Sequence, residues 1–340
     1  MLGAPTLAAS PAKPDAEMKK VLEALDGLGG KPLPTLTAAE ARMQPTPADA
    51  VKAVLAKKLG KPPVPEAVAK VEDRTYPNAD NAPLAVRIYT PAGKGPFPVI
   101  VYFHGGGWVI ANLDVYDSSP RALANAAGAV VVAATYRQAP EHKFPAAHDD
   151  AYAAYKWAQE NAASFNGDPK RFAVAGESAG GNLAINTAIR ARDEKLTAPM
   201  HMVLVYPVAG ADMTTPSYLA NADAKPLSKG GMEWFVANVF TKKDEANDPR
   251  INLVGRTDLK GLPSATVITA ELDPLRSEGQ QLAKNLAAAG VKVDAADYTG
   301  VTHEFFGMGA VVPKAKQAVQ RAGKNLKAAF RAPPPKLSSL

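Results

Sequence analysis

The chain has 340 residues, which is enough to bury a large core and fits one α/β domain with an accessory part. It contains no cysteine, and this excludes disulfide bonds, thiol catalysis and cysteine-ligated metal sites. The formal net charge of +6 comes from Lys and Arg residues scattered along the chain. Because these residues form no basic block interleaved with aromatic residues, the sequence predicts no nucleic-acid site.

Residues 1–14 are rich in Ala and Pro and lack a basic n-region, and they are too short for a complete signal peptide. The small residues Ala8, Ala9 and Ser10 are nevertheless compatible with the remnant of one. The sequence therefore leaves both a cytoplasmic and a periplasmic location open. No run of about 18 apolar residues occurs, so we expect a soluble chain without a membrane span.

Two helices are predicted near the N-terminus. In the first, apolar residues recur at a spacing of three and four from Met18 onwards, and the pattern stops at Gly27. The second covers residues 47–59. A Pro-rich stretch at residues 61–65 separates these helices from the rest of the chain. We expect residues 1–65 to form a helical cap segment.

After this stretch, strand patterns alternate with helical patterns. Residues 71–76 and 84–89 have the alternation of a hairpin. Apolar runs predict buried strands at residues 99–103, 130–134, 172–175, 202–206 and 265–270, and a last strand at 291–298. Helices are predicted near residues 123–127, 146–160 and 280–289. This alternation is typical of an α/β fold with a mostly parallel, twisted sheet flanked by helices.

Residues 210–247 interrupt this rhythm with turns and one helical pattern near residues 232–240. We expect this stretch to be an insertion that joins the N-terminal helices as a cap. The catalytic core would then comprise residues 66–209 and 248–332. In such a sheet, ligands bind at the C-terminal ends of the strands.

A G-x-S-x-G motif follows the predicted strand at residues 172–175, with Ser178 at its centre. Leu183 and the apolar residues after it continue the chain as a helix would. A strand, a tight turn and a helix form the structural context of a nucleophile elbow, which exposes the serine Oγ on a strained turn. The pattern therefore makes Ser178 the candidate nucleophile.

A serine hydroxyl needs a base and an orienting carboxylate, and with a nucleophile elbow these follow the serine in the order acid, then histidine. Of the five histidines, His201 and His303 follow Ser178. His201 directly precedes a predicted strand and leaves no room for an acid before it. His303 follows the last predicted strand in a loop, and we expect it to be the base. Asp273, in the turn after a predicted strand, is the expected acid, and Glu271 is the nearest alternative.

Three glycines directly follow the predicted strand at residues 99–103, in the sequence His104, Gly105, Gly106, Gly107 and Trp108. Their bare backbone allows N–H groups to approach a substrate oxyanion, together with the N–H of Ala179. The chain has no P-loop and no dinucleotide-binding glycine motif, and no H-E-x-x-H. We therefore expect neither a nucleotide cofactor nor a metal.

Five motifs together resemble a known family: HGGGW at 104–108, YRQAPEHKFPAAHDD at 136–150, GESAGGNLA at 176–184, LDPLRSEG at 272–279 and VTHEFF at 301–306. In this order they are similar to the bacterial hormone-sensitive-lipase-like esterases of the α/β-hydrolase fold. The resemblance implies Ser178 as nucleophile, Asp273 as acid and His303 as base. It also implies an oxyanion hole at Gly106, Gly107 and Ala179, with His104 structuring the loop.

The sequence departs from the family at several positions. Glu177 stands where the family usually has Asp before the nucleophile, and Glu304 where it usually has Gly after the catalytic histidine. Gln138, Lys143 and His148 replace apolar or Pro positions, and His148 is expected to be structural. These departures leave the expected chemistry intact and concern substrate preference.

The sequence thus predicts a carboxylesterase that hydrolyses short- to medium-chain esters through an acyl-serine intermediate. A lipase, an acetyl-ester deacetylase or an amidase of the same fold stays open, as does a non-catalytic ligand binder. A homodimer through an edge strand is suggested by analogy alone. The candidate walls of the substrate pocket are Trp108, Tyr206, Trp234, Phe235 and Phe306.

Overall fold

Helices and strands alternate along the chain in a computed structural model that describes residues 12–332. The strands are β1 (Lys70–Pro77), β2 (Pro83–Thr90), β3 (Phe97–Phe103), β4 (Val130–Ala134), β5 (Gly167–Glu177), β6 (His201–Val205), β7 (Ser264–Leu272) and β8 (Val293–Thr302). The candidate signal-peptide remnant near Ala8 lies outside the described residues.

The α-helices are α1 (Ala16–Gly27), α2 (Ala38–Arg42), α3 (Pro47–Leu59), α4 (Ser118–Ala127), α5 (Ala146–Asn161), α6 (Ala179–Asp193), α7 (Pro216–Ala220), α8 (Lys229–Val239), α9 (Arg276–Ala288) and α10 (Pro313–Arg331). Short 3-10 helices span Leu33–Thr35, Ala162–Phe165, Lys243–Asn247, Leu253–Gly255 and Phe305–Met308. Each helix within residues 12–332 is too short or too polar to cross a lipid bilayer.

The strands form one sheet in the order β1-β2-β4-β3-β5-β6-β7-β8. β2 is antiparallel to both of its neighbours, and the other neighbouring strands are parallel. The predicted mostly parallel sheet flanked by helices is confirmed. Because β3, β5, β6, β7 and β8 run in the same direction, their C-terminal ends meet at one edge of the sheet.

Side chains of the central strands alternate between two cores, one on each face of the sheet. In β4, Val130 and Val132 pack into the core that contains α5, α6 and α9, whereas Val131 and Ala133 pack into the core that contains α4 and α10. Every residue of β4 is buried. This burial on both faces is the reason that the strand is a continuous apolar run rather than an alternating one.

The two stretches predicted as cap contact each other. Trp234 in α8 donates a hydrogen bond from Nε1 to the carbonyl oxygen of Leu36 at 2.8 Å. The Nζ atom of Lys225 lies 2.6 Å from Asp26 Oδ1. Helices α1 and α3 also bury residues in the core beneath α4 and α10, so the N-terminal segment is anchored to the main sheet.

Several element boundaries differ from the predictions. Residues 299–302 were expected to be a loop, but β8 continues to Thr302, so that prediction is wrong. Gly300 and alternate exposed residues hide the strand in the sequence, because β8 is an edge strand with one solvated side. β5 likewise begins early, at Gly167, in a stretch whose turn-forming residues mask it.

A buried ion pair holds α5 to the neighbouring loops. Asp150 is fully buried, and its Oδ2 accepts hydrogen bonds from Arg137 N at 3.0 Å and Arg137 Nε at 2.8 Å. Its Oδ1 accepts from Arg137 Nη2 at 2.9 Å and from Ala79 N at 3.2 Å. One carboxylate thus connects α5, the segment after β4 and the turn between β1 and β2.

We expect Asp150→Ala to lower the free energy of unfolding by about 3 kcal/mol, because it leaves the mostly buried guanidinium of Arg137 without its buried partner and with only the exposed Asp80. The neighbouring Asp149→Ala is the matched control, since its pair with Arg190 is exposed and should contribute less than about 1 kcal/mol. Urea unfolding at neutral pH measures both. Equal effects of the two substitutions would contradict the prediction.

Candidate active site

Ser178 lies on a sharp turn between the end of β5 and the start of α6. Its backbone has φ 56° and ψ −119°, a conformation that is strained for a residue with a side chain. The turn requires small neighbours, since a Cβ on Gly180 would lie 2.0 Å from the carbonyl oxygen of Phe103. The local geometry is therefore that of a nucleophile elbow, with Ala179 as the first residue of the helix.

Asp273 and His303 are joined by a hydrogen bond. His303 Nδ1 lies 2.7 Å from Asp273 Oδ2, and the other carboxylate oxygen accepts the N–H of Leu275 at 2.9 Å. The two residues follow β7 and β8, which are paired up to Leu272 and Thr302. This pairing brings the acid and the histidine together.

Glu271, the alternative acid, points elsewhere. Its Oε2 accepts the backbone N–H of Gly300 at 2.8 Å, on the neighbouring strand. The carboxylate beside the imidazole is therefore that of Asp273.

Ser178 and His303 line the same cleft. Within residues 12–332 no hydrogen bond joins the Ser178 hydroxyl to the imidazole, and such contacts are commonly looser before substrate binds. Because Nδ1 of His303 is engaged by Asp273, Nε2 is the nitrogen that remains for a proton from the serine.

The charges around His303 favour its protonated form. Burial lowers the pKa of this imidazole, but the charge of Asp273 and the hydrogen bond to it, together with the charges of Glu304 and Glu177, outweigh that effect. The pKa of His303 therefore lies above that of an ordinary histidine. A base with this environment holds a proton more firmly than a free imidazole does.

The glycine loop after β3 supplies backbone donors to the cleft. Gly106 and Gly107 line the cleft, and both have positive φ. Within the described part of the chain, their N–H groups and that of Ala179 donate no hydrogen bond. A Cβ at Gly107 would lie 2.2 Å from the ring of Phe235, so the loop requires glycine where α8 packs on it.

Two other residues of this loop have structural surroundings. Gly105 does not line the cleft, because its Cα faces the Tyr116 hydroxyl, which a Cβ would approach to 2.3 Å. His104 is buried, its ring stacks on Tyr136 with centroids 4.5 Å apart, and its Nδ1 lies 2.8 Å from the carbonyl oxygen of Gly105. Burial lowers the pKa of His104 to about 4, so it is neutral. Its contacts are those of a residue that shapes the loop.

The cleft has a volume of about 700 Å³. Trp108 is among its lining residues. Apolar side chains from the residues after β6 form much of the opposite wall: Met213, Tyr218, Leu227, Met232, Phe235, Val236, Val239, Phe240 and Ile251. The spacing of three and four among the α8 members is the sequence signal that identifies the cleft-facing side of this helix.

Three predicted pocket residues do not line the cleft. Tyr206 is buried beneath the site, with its ring centroid 4.5 Å from that of His303. Trp234 lies off the cleft-facing side of α8, and Phe306 is buried in the core beneath α10. Aromatic character alone did not distinguish pocket from core at these positions.

Two further carboxylates lie beside the imidazole. Glu177 is buried and accepts hydrogen bonds from the hydroxyls of Tyr206 and, at 2.6 Å, Tyr102. Burial, and then the charge of Glu304, raise the pKa of Glu177 to about 7. Glu304 accepts a hydrogen bond from the Tyr116 hydroxyl at 2.6 Å. Tyr116 is a site residue that no sequence motif singles out.

The remaining buried histidines are structural. His148 Nε2 lies 2.8 Å from Asn182 Oδ1, and burial lowers the pKa of His148 to about 4. His201 contacts Ser264 and Thr266 at the start of β6, at the opposite edge of the sheet from Ser178.

Known proteins of similar sequence include ester hydrolases. Residues 100–307 match the family described as alpha/beta hydrolase fold. The chain is 40% identical over 293 residues to carboxylesterase NlhH of Mycobacterium tuberculosis, with 84% of this chain and 92% of that protein covered. It is 36% identical over 297 residues to the ethyl acetate hydrolase of Pseudomonas putida, with 85% and 90% covered.

Solved structures that resemble this chain are also esterases. The hyperthermophilic esterase from the archaeon Pyrobaculum calidifontis has a TM-score of 0.83 at 35% identity, with 95% of this chain and 100% of that chain covered. The thermostable esterase from Pseudomonas putida ECU1011 has a TM-score of 0.84 at 35% identity, with 96% and 100% covered. The chain therefore belongs to the α/β-hydrolase fold family, and within it to the hormone-sensitive-lipase-like carboxylesterases.

Proposed function

We propose that this carboxylesterase hydrolyses short- to medium-chain esters through an acyl-serine intermediate, with Ser178 as nucleophile, His303 as base and Asp273 as the orienting acid. The observation that carries the proposal is the 2.7 Å contact of Asp273 with His303 Nδ1, beside a cleft that Ser178 also lines. Asp273 fixes the tautomer in which Nε2 can accept the serine proton.

In acylation, Ser178 Oγ attacks the ester carbonyl carbon while its proton moves to His303 Nε2. The tetrahedral intermediate then collapses, the bond to the alcohol oxygen breaks, and the imidazolium gives its proton to that oxygen. In deacylation, a water molecule attacks the acyl group and loses its proton to Nε2. The bond from the acyl carbon to Ser178 Oγ then breaks, the imidazolium returns the proton to Oγ, and the carboxylic acid leaves.

The developing oxyanion would be stabilised by backbone donors. The N–H groups of Gly106, Gly107 and Ala179 donate to no acceptor within the described residues. Ala179 is also the first residue of α6, so the positive end of the helix dipole adds to the stabilisation. Fixed donors of this kind act without reorganising during the reaction.

The cleft wall supports an apolar acyl group of limited length. Aliphatic and aromatic side chains line much of it, and the ring of Phe235 packs against Gly107 of the glycine loop. The relative named for ethyl acetate hydrolysis is consistent with a small ester. We propose that residues 1–65 and 210–247 form the cap over a core of residues 66–209 and 248–332, which the contact of Trp234 with Leu36 supports.

Ser178→Ala should lower kcat for p-nitrophenyl acetate on the order of 10⁶-fold, because no other group forms the acyl intermediate. Asp273→Asn should lower kcat by about 10⁴-fold, because it disturbs the histidine tautomer. Glu271→Gln is the matched control for the acid, since Glu271 lies two residues earlier, near the end of β7, and accepts the backbone N–H of Gly300 instead of contacting His303. Near-wild-type turnover in Ser178→Ala, or a larger loss in Glu271→Gln than in Asp273→Asn, would refute the assignment.

Phe235→Ala should shift the preference towards longer acyl chains, because it removes the ring that packs against Gly107. We expect the ratio of kcat/KM for p-nitrophenyl octanoate to that for p-nitrophenyl acetate to rise about 10-fold. Trp234→Ala, one position earlier on α8 and off the cleft, should leave this ratio unchanged. A comparable shift in both variants would show that the effect comes from loosening the helix.

A further inference from the structure

Glu304 approaches the imidazole from the side that Asp273 leaves free. Its Oε1 lies 3.9 Å from His303 Nε2, while Asp273 contacts Nδ1. Four-fifths of its side chain is buried, and both Glu304 and His303 line the substrate cleft. This carboxylate takes part in none of the proton transfers between Ser178, His303 and the substrate.

Glu304 is held in a conformation that favours glycine. Its φ is 70°, in the left-handed region, which is unfavourable for a residue with a Cβ. The carboxylate is fixed by the Tyr116 hydroxyl, which lies 2.6 Å and 2.8 Å from its two oxygens. Strained backbone persists where the surrounding contacts determine it, and such positions cluster at functional sites.

A small chamber lies behind Glu304. It has a volume of about 30 Å³ and is lined among others by Ser119, Tyr116, Glu177 and Glu304. That volume has room for one or two water molecules. Glu304 therefore stands between the substrate cleft on one side and Glu177 on the other.

Two buried carboxylates facing one chamber cannot both ionise freely. Burial and then the charge of Glu304 raise the pKa of Glu177 to about 7, so Glu177 takes up a proton near neutral pH. Burial raises the pKa of Glu304 above its ordinary value, although the positive charge of His303 and the hydrogen bond from Tyr116 oppose this effect. When His303 is protonated, the negative charge of the pair is thus favoured on Glu304.

The groups that face this imidazole come from several elements. They are Glu177 at the end of β5, Tyr206 after β6, Asp273 after β7 and Glu304 after β8. Tyr102 in β3 and Tyr116 before α4 donate hydrogen bonds to Glu177 and Glu304, respectively. The tyrosines stay neutral because burial raises their pKa values well above the ordinary value. The carboxylates are therefore the charges that act on His303.

We propose that Glu304 is a positioning residue, a second carboxylate that stabilises the protonated imidazole of His303 from its Nε2 side and so sets the acid limit of activity. The inference rests on the proposed function, since it assumes that His303 is the base. In the transition state the proton of Ser178 moves to Nε2, and Glu304 carries the compensating negative charge without itself exchanging a proton. In the free enzyme the same charge keeps His303 protonated, and hence inactive, up to a higher pH.

The test is the pH dependence of kcat/KM for p-nitrophenyl acetate in Glu304→Gln and Glu304→Gly. Removing the negative charge destabilises the imidazolium and lowers the pKa of His303, so the acid limb of both variants should move to lower pH. We expect a displacement of about one pH unit, as for a charge removed within a few ångströms. The rate on the alkaline plateau should fall several-fold, because the imidazolium loses a stabilising charge.

Lys195→Gly is the matched control, since Lys195 is an exposed residue with φ 56° far from the cleft. Both glycine variants relieve an unfavourable φ, but only Glu304→Gly should displace the acid limb. Glu304→Gly also keeps the test valid if Glu304→Gln folds poorly.

An acid limb at the wild-type position in the folded Glu304 variants overturns the inference and leaves the proposed function standing. A displacement in Glu304→Gly without one in a folded Glu304→Gln also overturns it, because the effect would then be steric. Ser178→Ala tests the proposed function separately from the role of Glu304. Wild-type turnover in that variant would refute the serine mechanism itself, whatever the Glu304 variants show.

Discussion

The site depends on the way in which neighbouring parallel strands end at one edge of the sheet. β7 and β8 are paired as far as Leu272 and Thr302, so the next residue of each strand falls within hydrogen-bond distance of the other, although 30 positions separate Asp273 from His303. β5 ends at the same edge and turns sharply at Ser178. The register of the sheet, rather than any local sequence motif, therefore brings Ser178 and His303 to one cleft and places the buried Asp273 against the imidazole.

Burying these polar groups requires a partner for each of them. The Asp273 carboxylate is fully buried and accepts from Leu275 N and His303 Nδ1. Glu177 accepts from two tyrosine hydroxyls, and Glu304 from one. An unpartnered buried carboxylate would instead bind a proton or destabilise the fold. The tyrosines that ring the site are thus hydrogen-bond donors to buried acids, and this explains why Tyr206 lies beneath the cleft rather than in its wall.

Much of the fold and of the candidate site was predictable, because the sequence patterns that indicate them are either local or follow a fixed order along the chain. The run at Val130–Ala134 identified a strand buried on both faces, and the order of Ser178, Asp273 and His303 along the chain identified the candidate triad before the geometry was known. The end of β8 was not predictable, since Gly300 is typical of a turn and the strand is held by its pairing with β7. Whether the side chains of Tyr206 and Phe306 point into the cleft or into the core depends on three-dimensional packing, which residue type alone does not determine.

Backbone strain is concentrated where the chemistry is proposed. Within residues 12–332, eight residues other than glycine have positive φ, and five of them lie at the cleft or directly beneath it: Trp108, Ala111, Ser178, Tyr206 and Glu304. Two of the three remote ones, Asn81 and Asn166, are of the residue type that tolerates this conformation best. The five site residues have no such tolerance, so tertiary packing must hold them there. A backbone held in this way places the catalytic groups before the substrate binds, so they need little reorganisation in the transition state of the reaction. Substitutions that relieve the strain are therefore expected to raise stability and to disturb the catalytic geometry.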